Sequence, residues 1–138
     1  MDMKKQTGDR MKETVLLYGF KDQERLKKVK RALLPLGLRM RTVGPEEYFQ
    51  PVGYLAGVKE VPPAENDRPG TEFDCETMVM PGLASAQVDA VIHALYRSGV
   101  GRIDYKAVLT PVNQFWDGEK LYEEIAREHE AMTKGGSQ

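Results

Sequence analysis

The chain predicts an α/β domain, a four-stranded, mostly parallel sheet in the order β-α-β-(short turns)-β-α-β-α with helices on both faces. Three observations carry this. TVLLYGF at 14–20 is apolar on both of its faces, as a central strand covered from two sides must be. Segments with apolar residues at helical spacing alternate with the strand-like runs, the signature of an α/β architecture. The connection over 44–75 exceeds the dozen or so residues that a parallel crossover needs.

Residues 1–13 are polar and lack periodicity, so they read as a flexible N-terminal arm before a single domain at 14–132. Asp22 is placed to cap the first helix, in which Leu26, Val29 and Leu33 form the inward stripe. Pro35 and Gly37 stop that helix. Leu38–Val43 alternates, with Leu38 and Met40 on one face and Arg39 and Arg41 on the other, as an edge strand with a wet side does. Within 46–57, short helical turns with Tyr48, Phe49, Tyr54 and Leu55 inward are expected around the breaker Pro51. The proline-rich stretch 58–73 reads as an exposed loop, either a lid or a tolerated insertion.

Glu76–Met80 is the next central strand, closed by Pro81-Gly82. Ser85 is the expected cap of a helix carrying Val88, Val91, Ile92 and Leu95 inward, ended by Gly99. Tyr105–Thr110 is the fourth strand. Asp117 caps a last helix with Leu121, Ile125 and Met132 inward, and Trp116 with Leu121 has the spacing of a hydrophobic staple. Residues 133–138 form a frayed end. The strand direction after residue 75 is the open point. A segment that crosses the sheet makes all four strands parallel, which the length favours. One that turns back gives a ferredoxin-like α+β fold with an added C-terminal helix.

Composition narrows the function classes more than it names one. At 138 residues the chain fits one domain of the usual ~100–150. Its net charge of −1 conceals a polarity: Lys21–Arg41 holds eight Lys or Arg against two acids, and Asp117–Glu130 six acids against two bases. A single cysteine, Cys75, rules out a disulfide within the chain, and no apolar run reaches the ~18 residues of a membrane span. Without an apolar h-region at the start, a cytoplasmic location is expected. The basic helix around Lys27, Lys28, Lys30 and Arg31 lacks an aromatic stacking motif, so nucleic acid is not the expected partner.

The common catalytic signatures are absent from the sequence. There is no phosphate-loop motif, no dinucleotide fingerprint after a strand and no GxSxG elbow around Ser85. His93 and His129 stand on separate helices without metal-ligand spacing, so no metal and no cofactor is expected. His129 reads as a solvated residue of an acidic helix. Cys75 sits between Asp74 and Glu76, whose charges disfavour a thiolate, and reads as inert. If the sheet is parallel, Gly19-Phe20, Pro81-Gly82 and Thr110-Pro111-Val112-Asn113 all lie at carboxyl strand ends. Their loops then frame a crevice of the kind where open sheets bind ligands. The expected ligand set is Gly19, Phe20, Gly82, Thr110, Asn113 and Trp116. The alternative is ordinary turn chemistry, with Asn113 bonding its own backbone.

The runs VLLYGF at 15–20, MVMPGL at 78–83 and KAVLTPVNQFW at 106–116 with LYEEIAREH resemble a bacterial family known as a domain of unknown function, number 3783. The resemblance spans roughly 14–132. It implies a compact α/β domain with signature positions at Thr110, Pro111, Asn113 and Trp116, and leaves function open. Val112 departs from the small polar residue expected there. The expected function is a non-enzymatic module binding a small anionic ligand or a protein partner at the strand ends. The alternatives are a small enzyme using Asp104, Lys106 or Asp117 as base, and a homodimer formed through the C-terminal helix.

Overall fold

A computed structural model describes residues 14–68 and 70–136, and side chains through Met132. The expected N-terminal arm lies outside the described residues. Strand β1 (Thr14–Tyr18) runs into Gly19, and Asp22 then caps helix α1 (Gln23–Leu33), its Oδ1 accepting from the amides of Glu24 at 3.0 Å and Arg25 at 3.3 Å. A cap of this kind contributes ~1 kcal/mol. Leu26, Val29 and Leu33 are buried, and a single 3₁₀ turn, Leu34–Leu36, ends at Gly37 with φ +76°. The chain returns as β2 (Arg39–Val43), parallel to β1 and at the sheet edge.

The second unit repeats the plan. β3 (Thr77–Met80), fully buried, leads to helix α3 (Ser85–Arg97) and then to the edge strand β4 (Tyr105–Val108), parallel to β3. The start of α3 differs from expectation. Ser85 is its first helical residue; the cap is Ala84, whose amide donates 2.9 Å to Gln87 Oε1. Gln87 reaches back over the turn to the amide of the cap residue, the second half of a capping box, while the side-chain acceptor expected from a serine cap is missing. Gly99 (φ +89°) closes α3 as read.

Sheet order is β2-β1-β3-β4, and β1 pairs with β3 antiparallel, Tyr18 opposite Thr77. An all-parallel sheet is therefore excluded. The reason lies in the 44–76 connection. It begins after Val43 and ends before Thr77, both beside Tyr18 on one rim, and much of its apolar surface is buried on one sheet face. A 3₁₀ turn (Pro45–Glu47) and a one-turn helix α2 (Val52–Leu55) put Tyr48, Val52, Leu55 and Ala56 against Leu16, Tyr18 and Val79, and Phe73 joins them. Tyr54, expected inside, is 38% exposed, being the residue of this single turn that points away from the sheet. The ferredoxin-like alternative also fails. In that fold the two strands of each βαβ unit are split by another strand; here they are direct neighbours.

Helices cover both faces. α1 and α3 pack on Val15, Leu17, Met78 and Met80, while α2, the returning segment and helix α4 (Gly118–Gly136) cover Leu16, Tyr18, Val43 and Val79. Asp117 caps α4 through Lys120 N at 2.8 Å, and Leu121 and Ile125 are buried beneath it. Met132 is 77% exposed, against expectation. The His129 ring lies tilted against Tyr105 of the edge strand β4, and Met132 lies about a turn further along.

Candidate functional site

The antiparallel β1–β3 pairing separates the expected ligand set. Gly19 and Phe20 follow β1 on one rim; Gly82, Thr110 and Asn113 follow β3 and β4 on the other, a strand length of roughly 15 Å away. The crevice between them does not form. Gly82 is exposed, and a Cβ built on it meets nothing within 4 Å. The Thr110–Asn113 loop engages its own polar groups. Asn113 Oδ1 accepts from Thr110 N at 2.8 Å, Thr110 Oγ1 accepts from Asn113 N at 3.0 Å, and Asn113 Nδ2 donates to Val108 O at 3.1 Å. This is the Asn-closed turn that the residue types allow. Phe20 is buried in the α1–α3 core. Trp116 joins parts of the fold: its carbonyl accepts from Val52 N at 2.8 Å, and Lys120 Nζ stands 5.4 Å from its ring centroid.

The rim that holds Gly19 is chemically richer. Gly19 has φ +72°, and a Cβ there would lie 2.9 Å from the Cys75 carbonyl oxygen. The Tyr18–Thr77–Tyr105 register thus brings 75–76 and 104–105 side by side in front of the sheet. Between them and α4 opens a cavity of about 290 Å³ lined by Cys75, Glu76, residues 102–105 and His129. Each wall is fixed by an identifiable contact. Arg25 of α1 holds Glu76 with Nε 2.7 and 2.8 Å from its two carboxylate oxygens and gives Nη1 to Val100 O at 2.9 Å. Arg102 Nε pairs with Asp104 Oδ1 at 2.8 Å. Cys75 N donates to the Tyr122 hydroxyl at 3.3 Å, and the His129 ring lies 5.3 Å from that of Tyr105. Burial, and then the Cys75 side chain, hold the Tyr105 and Tyr122 phenols above the usual tyrosine range, so both stay neutral donors.

His129 is therefore half-buried rather than solvated, because it faces the edge strand instead of the acidic side of α4. Of the bases considered from sequence, Asp104 lines this cavity, Lys106 points to the other sheet face, and Asp117 pairs with Arg68 at 2.8 Å while capping α4. Among the described residues, no group of three or more His, Cys, Asp or Glu is arranged to hold a metal ion.

Six of the seven lining residues, all but Cys75, fall inside a stretch of the chain with a recognised counterpart. Residues 76–132 match the family model described as a domain of unknown function (DUF3783). The DUF3783 stretch comprises β3, α3, β4 and most of α4, so β1, α1 and β2 lie outside it. It is narrower than the resemblance read over 14–132. Cys75 precedes it by one residue, and Arg25 reaches into the site from outside it. No curated protein and no solved structure matches the chain. No helix among the described residues is long and apolar enough to cross a membrane.

Proposed function

We propose that the protein is a non-enzymatic binding module that holds a small zwitterionic ligand in the rim cavity between Cys75 and His129. The observation that carries this is the composition of one cavity of about 290 Å³, in which Arg102, Asp104, Glu76, Tyr105 and His129 converge. That volume sits at the small end of ligand sites, and its walls offer both signs of charge beside an aromatic face. A ligand carboxylate meets Arg102 and His129, and its ammonium meets Asp104. Charge-assisted hydrogen bonds of this type are about twice as strong as neutral ones.

Arg25 holds both carboxylate oxygens of Glu76, at 2.7 and 2.8 Å, so this wall of the cavity is already positioned before a ligand enters. The test is a thermal-shift screen of amino-acid-sized zwitterions. A ligand at ~100 times its dissociation constant adds ~2.7 kcal/mol of stability. A hit whose shift is lost in Asp104→Asn and weakened in His129→Ala supports the reading. Hits unaffected by both substitutions, or none across the zwitterions, overturn it.

A further inference from the structure

We infer a second, separate binding site for a small carboxylate with a short apolar body, on the opposite face of the sheet under Lys106. Strand alternation turns Lys106 to the face of Met78, away from Tyr105 and the cavity described above. There a cavity of about 230 Å³ is lined by Ile92, Leu95 and Tyr96 of α3, by Gly101, Arg102 and Ile103, and by Lys106. Leu95 and Ile103 are buried and Tyr96 is exposed, so the floor is apolar and an aromatic ring stands at the edge.

The charge in this cavity has one sign. Lys106 Nζ donates to the Ile103 carbonyl, and among the described residues no carboxylate is ion-paired with it. Arg102, the second cation, has one acidic partner, Asp104. An ammonium on a half-buried stem keeps two N–H donors beyond the one given to Ile103. A carboxylate at that point takes those donors, while its body covers Ile92, Leu95 and Ile103; Arg102 lines both cavities and is held by Asp104. Burial, with Arg102 second, holds the Lys106 amine below the usual lysine range, and an anion bound there relieves both. At ~30 Å³ per water-sized unit, the volume admits a ligand of about seven or eight heavy atoms, the size of hexanoate.

The test is a titration of the intact, isotopically labelled chain with hexanoate, followed by amide NMR, beside hexanamide at equal concentration. Saturable shifts confined to 92–96 and 101–106, with hexanamide at least about tenfold weaker, are expected, since the loss is that of a charge-assisted contact. Lys106→Met, which keeps the aliphatic stem, is expected to lose hexanoate to the same degree while the Asp104→Asn chain still binds it. Absence of saturable shifts, shifts centred elsewhere, or equal binding of the amide overturns the inference. The comparison of acid with amide uses the unmodified protein, so it stands even if the lysine variant folds poorly.

Discussion

Tyr18 ends β1 with its ring packed on Tyr48 and Phe73 at centroid distances of 5.6 Å, and its hydroxyl is buried with no hydrogen-bond partner. Burying an unpartnered hydroxyl costs about 1–3 kcal/mol. Tyr18→Phe is therefore expected to leave stability unchanged or raise it by up to ~1 kcal/mol in urea unfolding; a clear loss would mean that the hydroxyl is satisfied. The same burial holds the Tyr18 phenol well above its ordinary range, and burial followed by the 2.6 Å bond to Glu72 does so for Tyr48. Both groups favour the neutral form in the folded state. Their contribution is full below the unfolded value of about 10 and is lost as pH rises beyond it. Urea midpoints should hold level from these groups up to about pH 10 and then fall, less steeply in Tyr18→Phe. A midpoint that does not fall above that pH contradicts the assignment. Gly19 and Gly37 share a positive φ, but only Gly19 has a neighbour where its Cβ would be, the Cys75 carbonyl at 2.9 Å. Gly19→Ala should cost roughly 2–3 kcal/mol and Gly37→Ala about 1 kcal/mol; equal losses would remove the close approach from the account.

The elements themselves were legible because periodicity is a local signal. Leu26, Val29 and Leu33, and Val88, Val91 and Leu95, recur at the spacing of a buried helical stripe, and Asp22 and Asp117 mark the starts of their helices. The 58–73 stretch was less legible. Its prolines and charges signal an exposed loop, yet Val61 and Phe73 are buried. Phe73 is the middle of an aromatic row: it lies 4.1 Å from Tyr48 and 4.1 Å from Tyr122, which in turn meets Tyr105 and, through it, His129. The row ties the returning segment and α4 to the sheet. Phe73→Ala is accordingly expected to cost ~3–5 kcal/mol. A loss under ~1 kcal/mol would reduce the stretch to a tolerated insertion. The cavity beside this row was not legible at all. Its residues come from 75–76, 102–105 and 129, and no spacing rule joins positions so far apart in sequence.

At the scale of the molecule, strand direction decides where chemistry can gather. An apolar run such as TMVM at 77–80 reads the same whichever way it crosses the sheet, so sequence leaves the direction open. In the fold the connecting segment returns to the rim that it left, with Tyr48, Val52 and Phe73 buried together on one face. The polarity of charge along the sequence survives folding. Basic α1 and acidic α4 pack on opposite faces of the sheet. Two βαβ units set antiparallel put Gly19 beside Cys75 and send Gly82 and Asn113 to the far rim. Cys75 is the single cysteine, which makes a direct test simple. With a nitroxide attached to Cys75, the amide resonances of Gly19 and Tyr105 should be lost, and those of Gly82 and Asn113, roughly 15 Å or more away, should be broadened much less. A surviving Gly19 resonance beside a lost Tyr105 resonance would place the end of β1 on the opposite rim and contradict the antiparallel pairing.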